Sequence, residues 1–366
     1  MHPTKIEVDL GQLKNNLSEI RKVIGKRLFL LPIKANAYGL GLLPIAKAGL
    51  EAGVDYLGVA FAKEAIELRK EGIGAPILVL GAILEEQFEA LINYGVEITL
   101  SSHMKADLLS AITKKLKKPC RVHIEVDTGM ARTGMRPETA IELFLKLKNH
   151  PYIQVAGIYS HLATSDIKNH PFCLLQFKAF DQLMQKIDTE KKLISHIANS
   201  GALEHFNEPL CLRQMVRPGV LSFGYPVTTE WKSKVKPCFT LKSKISFFKV
   251  LEKDVGISYG HSYRTKTQTR IVTVPIGYGD GYRRILSNNA YVLIRSKRYP
   301  VVGNICMDQL MVDVGMDQAY VGDEVVLIGK QGDLEISIEE IAHLCKSVPY
   351  EIFSGFTSRI PRSYVS

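Results

Sequence analysis

Between residues 28 and 225, short apolar runs alternate with stretches in which apolar residues recur three and four positions apart. The runs fall at 28–33, 56–60, 77–80, 98–100, 122–126, 155–159 and 194–197. They lack inside–outside alternation, as expected of strands covered on both faces. The intervening stretches, 84–94 and 138–148 among them, carry helical periodicity. Eight or so strand–helix units at spacings of roughly 20 to 30 residues predict a (β/α)8 TIM barrel, with functional groups at the carboxyl ends of the strands. A doubly wound open sheet shares this rhythm, but no Gly-x-Gly-x-x-Gly follows the first strand.

After about Lys234 the pattern turns β-rich, with segments at 240–251, 270–276, 291–294, 310–314 and 324–328. Gly315, Gly322, Gly329 and Gly332 punctuate them. One helix, 337–344, interrupts this region and carries Glu339 and Glu340 in its first turn. The expectation is a barrel over residues 1–233 followed by a mostly β domain over 234–366. The alternating opening segment, 5–10, reads as a half-exposed strand able to join either one.

Composition narrows the function classes. The chain has 366 residues, 46% of them hydrophobic, and a formal net charge of +10. Its basic residues are scattered; the run Lys114-Lys115-Leu116-Lys117-Lys118 sits at an expected helix end, where it complements the helix dipole. No zinc-finger spacing or basic helix accompanies the charge, so nucleic acid is not an expected partner. Six widely spaced cysteines (Cys120, Cys173, Cys211, Cys238, Cys306, Cys345) suit reduced thiols in the cytoplasm, without a Cys-x-x-Cys pair. The start of the chain lacks a signal-peptide core, and no apolar run approaches the ~20 residues of a membrane helix. Neither export, a membrane nor a bound metal is expected.

The segment Lys34-Ala35-Asn36-Ala37-Tyr38-Gly39 ends the first expected barrel strand in a lysine and a small-residue turn. At a barrel mouth, burial would lower the pKa of that amine and free it for Schiff-base chemistry. An end-of-strand lysine is otherwise an ordinary solvated rim residue. This motif resembles the cofactor-lysine motif of the alanine racemases. Further blocks resemble that family in the same order, from the first strand to Arg359-Ile360-Pro361-Arg362.

The resemblance implies a pyridoxal-phosphate (PLP) enzyme acting on a small amino acid, a homodimer whose sites borrow residues from the partner, and a role in supplying D-alanine for peptidoglycan. Lys34 would carry PLP and act as one base. Tyr259, in Ile257-Ser258-Tyr259-Gly260, would act from the partner as the other. Without the lysine motif, Tyr259 reads as a structural tyrosine with a satisfied hydroxyl. A phenol is a weak base at neutral pH: moving a reference pKa of ~10 to ~7 takes about 4 kcal/mol, so a cation must help.

The family pattern assigns that help to His161 and Arg217. Arg217 would face the pyridine nitrogen and keep it unprotonated, because a guanidinium does not release its proton. His161 would link Arg217 to Tyr259. Tyr38, Ser200, Gly219 and Val220 would receive the phosphate through hydroxyls and backbone amides. Ser200 could equally cap a helix, and His196 would pack or network beside the ring. Arg132 and the partner's Met307 would hold the substrate carboxylate, and Tyr278 would line the entrance.

Two positions depart from the family. Seven residues before Arg132, where many members carry a lysine that becomes carbamylated, this chain has Glu125. A carboxylate is already anionic at neutral pH, so Glu125 could brace Arg132 unmodified. Ser358 stands where some relatives place a phosphate-contacting tyrosine, so direct contact from there is not expected. Competing functions are a broad-specificity racemase for serine or larger amino acids, a PLP decarboxylase, and a non-catalytic PLP-binding protein. The second domain bearing Tyr259 and Met307 argues against the last.

Overall fold

The computed structural model describes residues 2–187, 192–206 and 213–366; Cys211 lies outside them. The chain divides into two compact units. One comprises Gln12–Ala37 and Leu42–Lys236; the other comprises the residues up to Gly11, the short piece Tyr38–Gly41, and Pro237–Ser366.

The first unit is a closed parallel barrel of eight strands. They are β2 (Leu28–Pro32), β3 (Tyr56–Val59), β4 (Ile77–Val79), β5 (Glu97–Leu100), β6 (Cys120–Glu125), β7 (Ile153–Tyr159), β8 (Ile194–Asn199) and β9 (Met215–Arg217). Closure comes from β2 beside β9, with Leu28 opposite Met215 and Phe29 opposite Val216. Every residue of β3, β4 and β5 is buried, which explains the unbroken apolar runs. The barrel expectation therefore holds, and β9, too short and too rich in motif residues to show as an apolar run, completes it.

Local signals account for the helices around the barrel. Ser102 caps His103–Leu116 by accepting from the Lys105 amide at 3.2 Å, and Lys117 ends it in a left-handed turn. Pro137 opens Pro137–Leu147 at the first helical position. The expected helix at 84–94 is a 3-10 turn, Glu85–Gln87, running into Phe88–Asn93.

In the second unit a ten-stranded sheet is joined by a small two-stranded one. Strand β1 (Lys5–Asp9) lies between β10 (Phe239–Lys244), antiparallel, and β20 (Arg362–Val365), parallel. Its alternation now has a cause: Ile6 and Val8 are fully buried while their neighbours are half-exposed. The expected segment 240–251 is two strands, β10 and β11 (Phe247–Leu251), that belong to different parts of the sheet. Strands β12 (Gly256–Ile257) and β13 (Tyr263–Arg264) form the small sheet. The large one continues through β14 (Thr269–Val274), β15 (Tyr291–Ile294), β16 (Lys297–Val302), β17 (Leu310–Asp313), β18 (Glu324–Gln331) and β19 (Leu334–Ile336).

Strand β16 escaped the sequence reading because its hairpin with β15 turns on Arg295 and Ser296, at φ 50° and 58°. Such two-residue turns ordinarily announce themselves by Asn or Gly. Here Gln331 compensates, its side chain accepting from the Ser296 amide at 2.9 Å. The helix Ile338–Leu344 starts as expected, with Ser337 accepting from the Glu340 amide at 3.1 Å.

The five described cysteines are free. Among the described residues no helix is long and apolar enough to cross a membrane.

Buried Asn16 ties the helix that precedes the barrel to the barrel's last residues. Its amide donates to the carbonyls of Ser222 (3.2 Å) and Lys236 (2.8 Å), and its oxygen accepts from the Lys236 amide (3.0 Å). Replacing Asn16 by Ala strands these buried groups and is expected to cost about 2 to 4 kcal/mol. A denaturant midpoint equal to that of the parent chain would contradict this account.

Candidate active site

Lys34 stands two residues past the end of β2, and the backbone then does something costly. Ala35, Asn36, Ala37 and Tyr38 all take φ between 52° and 55°, a left-handed turn made without glycine. Each such residue is disfavoured by roughly 1–2 kcal/mol. Three bonds hold it: the Ala37 amide donates to the Ile33 carbonyl (2.8 Å), the Leu42 amide to the Asn36 side chain (2.8 Å), and the Asn36 amide to Glu64 (3.3 Å). Strain maintained in this way marks a place where backbone direction matters more than local stability. Lys34 is half-buried and, among the described residues, makes no ion pair. Burial, then the charges of Arg132 and Arg217, lower its pKa, and only Glu64 opposes them.

Arg217 ends β9 at 5% exposure and, among the described residues, makes no ion pair. Neutral acceptors surround it instead. It donates to the Ser160 carbonyl (2.8 Å), to His196 Nδ1 (2.8 Å) and, more weakly, to His161 Nδ1 (3.3 Å). Its guanidinium also lies 5.3 Å from the centre of the Tyr159 ring. Burial lowers even this arginine's pKa to about 10, still far enough above neutrality to keep it charged. The cost falls on its neighbours. Burial first, then Arg217, drives His161 down to about 3 and His196 well below the ordinary histidine range.

The segments expected around the phosphate come together. The Leu221 amide donates to Ser200 Oγ at 3.3 Å, joining the Ser200 turn to the Gly219–Val220 turn. The cap of helix Ser200–His205 is Asn199, one residue before the expected Ser200; its side chain accepts from the Ala202 amide at 3.0 Å. Ser200 is the first residue of the helix, and its hydroxyl accepts from the Leu221 amide. Gly201 has no room for a side chain: a Cβ would lie 2.5 Å from the Ser165 carbonyl oxygen.

Glu125 and Arg132 are not paired. Buried Glu125 accepts from the Thr133 hydroxyl at 2.8 Å, and its other oxygen has no hydrogen-bond partner among the described residues. Burial raises its pKa, opposed by that hydrogen bond and by the charges of Arg132 and Arg217. Arg132 itself is exposed.

Tyr38, Tyr259, Tyr278, Met307 and Ser358 belong to the β unit. Tyr38 packs 6.1 Å from the Phe353 ring, and burial pushes its phenol pKa above the usual range. Tyr259 is 71% exposed, and Met307 and Tyr278 are exposed as well. Three loops bring them to one surface. Asn304 donates to the Tyr259 carbonyl (2.7 Å), the Tyr278 amide to the Cys306 carbonyl (3.0 Å), and the Gly279 amide to the Met307 carbonyl (2.9 Å). Ser258, just before Tyr259, sits at φ 59° and ψ −172°, a region natural only to glycine. Its hydroxyl donates to the Asn304 carbonyl at 2.5 Å and holds that shape. Ser358 is exposed, and Arg362 in the same motif is structural, donating to the carbonyls of Gly39, Phe356, Thr357 and Ile360.

Sequence reasoning missed Glu97, His123, Thr128 and Tyr159, which are wired to these groups. For Glu97 and His123 the signal was a polar residue inside a strand otherwise buried on both faces, as in Val122-His123-Ile124 and Val96-Glu97-Ile98.

Comparison with known proteins puts the chain among the isomerases that act on amino acids. Residues 8–226 match the model for the alanine racemase N-terminal domain and residues 238–364 the model for the C-terminal domain, so the chain belongs to the alanine racemase family. Alanine racemase from Symbiobacterium thermophilum is 40% identical over all of this chain and 97% of its own length. Among solved structures, alanine racemase from Clostridium difficile 630 matches with TM-score 0.94 at 36% identity, covering 100% of this chain and 96% of that one. Alanine racemase from Bacillus anthracis, solved with bound L-Ala-P, matches with TM-score 0.92 at 34% identity, covering 100% and 96%.

The depressed pKa of His161 has a consequence for stability. The unfolded chain takes up a proton near pH 6.5 that the folded chain refuses down to about pH 3. Folding stability should therefore rise with pH across that window, and the His161→Gln variant should show a shallower rise. Denaturant midpoints at pH 5 and pH 7.5 give the comparison; equal slopes for parent and variant would remove the effect.

Proposed function

We propose that the chain interconverts L- and D-alanine, using PLP held at Lys34, and that Lys34 and the partner subunit's Tyr259 serve opposite faces of the substrate. The observation that carries this reading is a desolvated lysine amine at the barrel's carboxyl rim, depressed by two arginines. PLP, when bound, supplies an electron sink that acidifies the hydrogen on the substrate's α-carbon.

The residues present suit that group. Lys34 offers an amine that makes no ion pair among the described residues. The Ser200 hydroxyl and the backbone amides at Gly219 and Val220 offer neutral donors to a phosphate. Arg217 would face the ring nitrogen as a permanent donor, so that nitrogen stays unprotonated and the substrate's proton is returned to the α-carbon.

The remaining work belongs to the chain's own groups. Lys34 Nζ takes or returns a proton on one face, and the phenolic oxygen of Tyr259 does so on the other. Neutral His161, bonded to Arg217, couples that cation toward the phenol. Arg132 and the partner's Met307 bind the substrate carboxylate, Tyr278 lines the approach, and His196 fixes Arg217. The high exposure of Tyr259, Tyr278 and Met307, held on strained and cross-linked loops, supports a homodimer in which this surface covers the partner's barrel mouth. Cytoplasmic D-alanine supply for peptidoglycan is the role that fits this activity.

The charge of Arg132 acting on Glu125, together with the hydrogen bond from Thr133, supports a built-in anion in place of a carbamylated lysine, against the burial that favours its neutral form. Activity should then be the same with and without bicarbonate after carbon dioxide is removed; strong rescue by bicarbonate would count against it. Shared sites have their own test. Lys34→Ala and Tyr259→Phe homodimers should each lose a factor of at least about 10² in kcat. Mixed subunits should regain activity, and none after confirmed exchange would refute sharing. Relative kcat/KM for alanine and serine decides substrate breadth, and a coloured parent protein forming no D-alanine would favour a PLP carrier.

A further inference from the structure

A row of polar groups crosses the barrel core below Arg217, joining the end of β9 to the start of β5. Arg217 Nη1 lies 2.8 Å from His196 Nδ1, and His196 Nε2 lies 2.8 Å from His123 Nδ1. His123 Nε2 lies 2.9 Å from Glu97 Oε2, and Arg121 donates to Glu97 Oε1 at 2.7 Å. His123, His196, Glu97 and Arg217 are all buried.

A guanidinium only donates, so His196 Nδ1 must accept. A neutral His196 then carries its hydrogen on Nε2 and donates to His123 Nδ1. His123 in turn carries its hydrogen on Nε2 and donates to the Glu97 carboxylate. Reversing any one link sets a donor against a donor somewhere along the row. A single placement of hydrogens therefore satisfies every bond with both rings neutral, and the two ends carry opposite full charges. We propose that Glu97 is a positioning residue for Arg217, acting through His123 and His196, and that its carboxylate fixes the direction of hydrogen donation along the row.

The surroundings are shaped for this row. Gly157 of β7 leaves space for the His123 ring: a Cβ there would stand 2.4 Å from His123 Nδ1. The Tyr159 ring stacks on His196 with centroids 4.8 Å apart, and its hydroxyl is held by Thr99 (3.1 Å) and by the Leu80 carbonyl (3.2 Å). Charged and titratable groups facing the row are few. His196 meets Arg217, His123 and Tyr159; His123 meets Glu97, His196 and the Tyr56 ring. Glu97 meets His123, Arg121 and the Tyr56 hydroxyl, with Cys120 and Arg69 feeling its charge. Burial alone would raise the Glu97 carboxyl, but the bonds from His123 and Arg121 hold it below the usual range.

The role of the row in catalysis rests on the function proposed above, whereas the hydrogen placement does not. The test is nitrogen-15 NMR of the histidine rings in the full-length, cofactor-free chain, with racemisation assayed separately on the PLP-loaded enzyme. Both His123 and His196 should be single Nε2–H tautomers. In Glu97→Gln, Arg121 claims the one amide oxygen, the amide NH2 faces His123 Nε2, and both His123 and His196 should switch to Nδ1–H, which sets the His196 hydrogen against the Arg217 donor. The kcat should fall at least about tenfold, the value of one hydrogen bond to a charged group, with KM nearly unchanged. Arg121→Met leaves the carboxylate in place and should keep both tautomers. Nδ1–H on either ring of the parent chain overturns the proposal even if Glu97→Gln fails to fold. So do unchanged tautomers in Glu97→Gln, or an equal disturbance in Arg121→Met. A parent chain with the expected tautomers but no racemisation would sink the functional reading and leave the hydrogen placement standing.

Discussion

A buried guanidinium that makes no ion pair among the described residues is the constraint on which this site depends. Arg217 keeps its charge because the carbonyl of Ser160 and the lone pairs of two histidines replace water around it. A positive charge held in that way spreads its effect in a poorly screened interior. Burial is the larger cause that keeps His161 and His196 neutral and depresses the Lys34 amine, and the Arg217 charge acts in the same direction on all three. The barrel core is shaped to accommodate this cluster, down to the missing side chain at Gly157.

The β unit meets a different constraint. In the role proposed for it, Tyr259 must stand away from its own core, and an exposed side chain on a free loop would be poorly aimed. The loop is therefore stiffened from within: Ser258 holds a glycine-like conformation, and Asn304 accepts and donates across it. The left-handed turn after Lys34 repeats the same bargain in the barrel, where four residues give up local stability and the direction of the chain is fixed.

Much of this was legible in the sequence, for identifiable reasons. Strands buried on both faces write continuous apolar runs, so seven barrel strands showed at once; β9, three residues long, did not. Lys34, Arg217 and Tyr259 sit in short motifs whose order matched a known family. By contrast, β16 was hidden because Arg295 and Ser296 make its turn without the usual turn residues. Glu97 and His123 were hidden because a polar residue inside an apolar strand names no partner until the barrel closes. Asn199 displaced Ser200 as the helix cap, a distinction of one residue that composition does not resolve. The separation of Glu125 from Arg132 is likewise a matter of side-chain direction, which motif spacing leaves open.

The account's central claim is that Lys34 is the amine that meets the cofactor, because burial and two arginine charges leave it without a proton more readily than a solvent-exposed lysine. Borohydride reduction of the PLP-loaded enzyme, followed by peptide mass spectrometry, reads this directly. The account predicts a pyridoxyl adduct on the peptide containing Lys34. An adduct on a different lysine, or no adduct on a chain that racemises alanine, would contradict it.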